Sequence, residues 1–167
     1  MFICWNLFII DMKSTELRIG NLVRLRINDE RVRIIAPDSN EKVSYIHIKD
    51  ISTSSSEYTY SPIPLTEEWL LKFGFDKIFE NKRCDFIRFE KRISRTKTKF
   101  SQKIEIEHHY TKRKREIWTS IILRTMCMDN KGIEHCSFQI IPRNIKSVHS
   151  LQNLYFALTG EELIYNE

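Results

Sequence analysis

Apolar and polar residues alternate with period two along most of this chain, and two stretches depart from that with the three- and four-residue spacing of a helix. In residues 22–27 the alternation sends Val23, Leu25 and Ile27 one way and Leu22, Arg24 and Arg26 the other. Asn28, Asp29 and Glu30 turn the chain. Residues 31–36 then return with Val32 and Ile34 on the apolar side and Arg31 and Arg33 opposite. Residues 37–40 turn it again into a third strand over 43–49, and residues 52–56, all serine and threonine, read as a polar loop. Short strands at about ten-residue spacing predict a small, strongly bent antiparallel unit resembling a barrel.

Pro62 and Pro64 end that unit. Thr66 stands where an N-cap belongs, and Glu67 and Glu68 suit the positive first turn of a helix. Trp69, Leu70 and Phe73 give it an apolar face and Gly74 closes it, which predicts a short helix over 67–73. Phe75 and the apolar residues around Ile78 are expected to wedge this helix against the sheets. Period two resumes after Asn81: Ile87, Phe89 and Ile93 alternate with Arg88, Glu90 and Arg92, and Ile104 and Ile106 with Lys103, Glu105 and Glu107. Residues 117–125 are denser in apolar side chains, as a central strand would be, and residues 129–132 form a hairpin turn into a strand over 135–141. The last helix is marked by Val148, Leu151, Leu154 or Tyr155, and Leu158 on one stripe. Gly160 follows, where a left-handed cap needs a residue without a Cβ.

The predicted fold class is α+β: a small N-terminal antiparallel β unit, a short helix, and a four-stranded antiparallel meander with the C-terminal helix packed on it. The domain reading is 12–64 for the β unit and 65–167 for the remainder, with one continuous domain over 12–167 as the alternative. Residues 1–11 are apolar but span about half of the roughly 20 residues a membrane helix needs. No basic residue precedes them and no small-x-small cleavage site follows, so they make a poor signal peptide. They read as an extension from an upstream start codon or as a loosely docked arm, with Met12 as the natural start.

Three blocks, MKSTELRIGN (12–21), PIPLTEEWLLKFGF (62–75) and VHSLQNLYFALTGEEL (148–163), cover roughly a quarter of the chain. In these blocks the chain resembles a family of short phage and prophage proteins of Bacteroides-type bacteria. The resemblance implies a phage or prophage setting and Met12 as the usual start; it implies no activity and transfers no catalytic residue. The segment 82–115 looks longer and more charged here than in the family pattern.

Charge changes the picture most in that segment. Residues 82–115 hold thirteen basic and four acidic side chains, a local excess of nine, so the rest of the chain sits at −4 within a formal total of +5. Two basic loops stand out, one with Arg95, Lys97 and Lys99, the other with Lys112, Arg113, Lys114 and Arg115. Lysine and arginine bind phosphates by charge and counterion release, and Phe100, His109 and Tyr110 supply rings on which bases stack. In a meander these loops lie at opposite ends of a strand of about eight residues, on the order of 27 Å apart. That exceeds a Debye length of about 8 Å, so only an extended polyanion crossing Arg88, Arg92 and Lys103 would feel both. The second candidate is the hairpin face carrying Arg24, Arg26, Arg31 and Arg33. The bland reading of both is a solvated polar surface with ordinary ion pairs.

Other chemistry is poorly supported. Cys127, His135 and Cys136, with His108 or His109, contain no metal-ligand spacing, and neighbours on a strand point to opposite faces. Walker loops, dinucleotide fingerprints and nucleophile elbows are missing from the sequence. His47 and His149 read as packed or capping residues. Cys4, Cys84, Cys127 and Cys136 show no paired spacing, which fits reduced thiols in a cytoplasm. The expectation is therefore a non-enzymatic cytoplasmic interaction protein with no metal, no cofactor and no membrane association. Nucleic acid is the first partner class. A host protein, held through apolar contacts around the two helical blocks, or a sequestered small ligand, is the alternative.

Overall fold

The computed structural model describes residues 16–37, 43–48, 52–56, 60–81, 86–93, 100–110, 116–129, 131, 133–141 and 145–165. Residues up to Pro64 together with Ser147–Asn153 form one compact unit; Leu65–Lys146 with Leu154–Glu167 form a second. Both contain antiparallel sheet, and two helices complete an α+β chain.

The first unit is a five-stranded sheet. Its strands are β1 (Leu22–Leu25), β2 (Arg31–Pro37), β3 (Val43–His47), β4 (Thr53–Ser56) and β5 (Tyr60–Ser61), in the order β4-β3-β2-β1-β5. Leu17, Val23, Leu25, Val32, Ile34, Val43, Tyr45 and Tyr60 cluster in its core. Period two therefore placed the apolar side of the hairpin correctly, with two exceptions. Ile27 is 69% exposed, because β1 ends at Leu25 and the turn through Asp29 (φ 55) takes Ile27 off the strand. Residues 53–56 form a strand, not a loop: pairing with β3 needs only backbone groups, and threonine and serine tolerate an edge. Nor is a barrel seen, since no ladder joins β4 to β5 among the described residues.

Helix α2 (Val148–Thr159) enters this unit with its first half. Val148 N–H donates to Ile63 O, and Pro64 and Ser147 form an isolated antiparallel bridge. β5 is so short that it reaches only Arg24 and Leu25. Beyond its end the buried N–H of Leu22 donates to Gln152 Oε1 at 2.9 Å, and Gln152 Nε2 donates to Gly20 O at 3.1 Å. Asn153 receives Asn21 Nδ2 and donates to Glu16 O. Two amide side chains thus finish a sheet edge that no strand covers. This corrects the expectation that α2 lies wholly on the meander: its apolar stripe is real, with Val148, Leu151 and Tyr155 buried, but Gln152 is buried among them for this purpose. Gly160 takes φ 72 and caps the helix, its N–H donating to Phe156 O.

The second unit opens with α1 (Glu67–Lys72). Thr66 has the extended backbone of an N-cap, but its side chain makes no cap hydrogen bond. The far end is better closed: Gly74 N–H donates to Leu71 O and Phe75 N–H to Leu70 O, the paired bonds of a Schellman cap. Lys91 Nζ also donates to Phe73 O at 2.8 Å, tying the helix end to the sheet. The sheet has five strands, not four, in the order β10-β9-β8-β7-β6: β6 (Asp76–Asn81), β7 (Phe86–Arg92), β8 (Phe100–Tyr110), β9 (Glu116–Met128) and β10 (Glu134–Ile141). The added strand is β6, whose Ile78 and Phe79 are exposed edge residues and not a wedge. The central strand is β8, and the apolar-rich β9 lies one place from the edge. Phe89, Ile104, Ile106 and Ile121 share the buried face, and Trp69, Leu70, Phe73 and Phe75 are buried in the same unit.

Gln152→Ala strands the buried Leu22 N–H, and a loss of about 1–3 kcal/mol in urea unfolding is expected. Asn153→Ala, at a more open position, is expected to lose less; equal losses would contradict the role given to Gln152.

Candidate functional site

The arginine hairpin is built by its register. Leu25 N–H donates to Glu30 O and closes the turn, where Asn28 Oδ1 accepts the Glu30 N–H. Arg24 then stands directly opposite Arg31, and Arg33 lies two residues on, opposite Leu22. Arg31 and Arg33 are exposed, and Arg24 is part-exposed with its Nη1 3.3 Å from Asp29 Oδ1. Side chains facing each other across an antiparallel pair have Cβ atoms about 4.5–5.5 Å apart, and like charges placed so are destabilising. Glu30, the other acid of the turn, faces His47 Nδ1 at 3.1 Å. The fourth arginine of the expectation, Arg26, is exposed in the turn beyond β1 and does not sit on the strand face. Leu22, which the alternation sets on the same side as Arg24, is buried and not part of the polar face.

On the solvent-side face of the second sheet, Arg88, Lys103 and Arg124 are paired with carboxylates. Arg88 Nε donates to Glu107 Oε1 at 2.8 Å, and Lys103 Nζ to Glu90 Oε2 at 2.6 Å. Glu105, 2% exposed, accepts Arg124 Nε at 2.6 Å and Arg124 Nη2 at 3.0 Å, with Lys103 Nζ 3.4 Å away. Burial alone would push the Glu105 carboxyl up. The hydrogen bonds and charge of Arg124, then of Lys103, outweigh it and hold Glu105 below the usual carboxylate range. Glu90 holds Lys103 above the usual range for its ammonium group. Of the cations expected to carry a polyanion across this sheet, Arg92 is exposed and has no ion-pair partner among the described residues, whereas Arg88 and Lys103 are committed to carboxylates. Arg95, Lys97, Lys99, Lys112, Arg113, Lys114 and Arg115 lie outside the described residues. The strand between their loops, β8, has eleven residues, not about eight.

Arg124 had not been picked out from the sequence. It stands opposite Lys103 and so lies diagonal to Glu105, a contact that only the β8–β9 register reveals. A charged residue recurring at the same parity as Ile122 and Met126 in an otherwise apolar strand was the signal available.

The remaining chemistry-bearing side chains are structural in placement. Ser147 Oγ lies 2.7 Å from Ser150 Oγ, and His149 Nε2 lies 3.2 Å from Ser150 Oγ. His149 Nδ1 is buried without a hydrogen-bond partner, and burial pushes the imidazole down to about 4. An imidazole so weakly basic, with no carboxylate to orient Nδ1, is a poor general base at neutral pH. Cys136 is exposed, 3.4 Å from Arg124 Nη1, and His135 faces Asp129 at 3.3 Å. No group of three or more metal-ligating side chains converges among the described residues.

Two measurements check this placement. Arg124→Leu takes from the buried Glu105 both hydrogen bonds of its guanidinium partner and leaves it Lys103 at 3.4 Å, and its cost in urea unfolding is expected to approach the roughly 3–5 kcal/mol of a broken buried pair. It should fall short of that because Arg124 is partly open to water. Adding Glu105→Leu should recover most of the loss; a double variant no better than the single one would contradict the pairing. For His149, the folded value lies below the unfolded one, so between about 6.5 and 4 the unfolded state binds the proton and stability falls as pH falls. A loss on the order of 3 kcal/mol across that window is expected. His149→Gln should flatten it, and an unchanged pH profile in that variant would rule the assignment out.

No protein-family model, no curated protein and no solved structure matches this chain, so its functional reading rests on its own residues.

Proposed function

We propose that this chain is a non-enzymatic interaction protein of phage or prophage type that binds nucleic acid in the cytoplasm through the arginine face of its first sheet. Arg24, Arg31 and Arg33 grip backbone phosphates, with Arg26 contributing from the turn. The observation that carries the reading is the β1–β2 register, which sets Arg24 directly against Arg31 on an exposed face. A polyanion laid on this face would meet guanidinium groups that the register already holds side by side. Guanidinium groups suit the task because they present a planar fork of donors to phosphate oxygens and stay charged at any working pH.

The second sheet is the weaker candidate. There Arg88, Lys103 and Arg124 face carboxylates at hydrogen-bond distance, and a phosphate would have to displace Glu107, Glu90 or Glu105 to reach them. The basic loops around residues 95–99 and 112–115 add long-range attraction through their charge, which speeds encounter more than it fixes geometry. The three resembling sequence blocks support the phage setting. The helical blocks offer little as a protein-binding surface, since Trp69, Leu70, Phe73, Val148, Leu151 and Tyr155 are all buried.

The test is fluorescence anisotropy with a labelled duplex of arbitrary sequence across a salt series. Three to four phosphate contacts predict a slope of about −3 in log affinity against log salt. Arg31→Ala with Arg33→Ala should flatten it by about 2 and weaken all sequences alike. Arg88→Ala should change neither. Absence of binding at low salt, or a larger effect of Arg88→Ala than of the double variant, would contradict the proposal.

A further inference from the structure

The two edges of the second sheet are built differently. At one edge, β6 sets Asp76, Lys77 and Glu80 among its apolar residues, and a bulge between Lys77 and Phe79 breaks its ladder with β7. Charge and bulges are the means by which an edge strand is kept from pairing further. At the other edge, β10 keeps unbroken register with β9 from Glu134 to Ile141. From Cys136 to Ile141 it carries neither a charge nor a proline, and Phe138 and Ile140 are each 64% exposed on the face they share with Ile122 and Met126 of β9. Its outer side has no neighbouring strand among the described residues.

We propose that β10 pairs antiparallel with β10 of a second copy of this chain, joining two five-stranded sheets edge to edge about a two-fold axis. An identical strand matches the row of backbone donors and acceptors that β10 leaves open. The axis stands normal to the sheet, so Phe138, Ile140 and Cys136 of both copies come to the same face and meet across it. Charge favours this partner and this direction. Glu134 is the one carboxylate on the strand and lies at its start, so antiparallel pairing carries the two copies of it to opposite ends, roughly 25 Å apart. A parallel arrangement would set them side by side. Closure favours a pair over a filament: only one edge of each sheet is bare, so once two copies meet, the outer edges are the charged and bulged β6 strands. With Phe138 and Ile140 as the main apolar contacts, the interface falls at the small end of stable ones, and the dimer depends on concentration. It does not depend on the arginine face of the first sheet.

Sedimentation equilibrium of the full chain tests this, with circular dichroism to confirm that each variant keeps its sheets. The wild-type chain is expected to show a monomer–dimer equilibrium with a dissociation constant on the order of micromolar to hundreds of micromolar. Phe138→Lys, and independently Ile140→Lys, should weaken it by at least about tenfold: the first sets like charges against each other across the axis, and the second puts a charge against the apolar face of the other copy. Phe79→Lys, an equally conspicuous change on the opposite edge, should leave it unaltered. A wild-type chain that stays monomeric throughout, leaving β10 to an extended segment of some other protein, overturns the proposal. So does a dimer that survives both β10 variants or is lost in Phe79→Lys.

Discussion

A carboxylate taken out of water has to be met by a cation, and in the second sheet that requirement governs the whole solvent-side face. Glu105 is 2% exposed in the central strand, and Arg124 holds it with two hydrogen bonds. Lys103 is drawn between Glu105 and Glu90, and Arg88 is matched by Glu107. Arg88, Lys103 and Arg124 are therefore spent on carboxylates of their own sheet, although it lies in the most basic part of the sequence. In the first sheet Arg24 faces Arg31 across the ladder and Asp29 at the turn. Formal charge along the sequence and the charge left for a partner are different quantities, and cross-strand pairing is what separates them.

Backbone satisfaction governs the architecture in a similar way. Where β5 stops, Gln152 and Asn153 supply the missing hydrogen-bond partners, which explains two amide residues on the inward part of an otherwise apolar helix face. Where α1 ends, a Schellman cap and Lys91 take up the last carbonyls. β6 is guarded by charge and a bulge. β10 differs from these ends: it carries exposed apolar side chains and has no strand on its outer side among the described residues.

Much of this was legible in the residues. Alternation marked Val23, Leu25, Val32, Ile34, Phe89, Ile104 and Ile106 as core, and Gly74 and Gly160 marked the helix ends, because burial on one face of a strand and a left-handed cap are local demands. What failed was set by partners distant in sequence. The strand at Thr53–Ser56 has no apolar pattern because its ladder with β3 is made by backbone groups, and Asp76–Asn81 alternates weakly because a bulge shifts its register. The commitment of Arg88, Lys103 and Arg124 depends on which carboxylate each strand neighbour presents, and the sequence does not state that register.

The central proposal is that an anion is taken by the arginine face of the first sheet, while Arg88 and Arg124 hold to their carboxylates. Side-chain Nε–Hε resonances of Arg24, Arg31, Arg33, Arg88 and Arg124, followed by nuclear magnetic resonance as a short oligonucleotide is added, test it most directly. Shifts at Arg24, Arg31 and Arg33 with Arg88 and Arg124 unmoved are predicted; movement of Arg88 and Arg124 while the hairpin arginines stay still would contradict it.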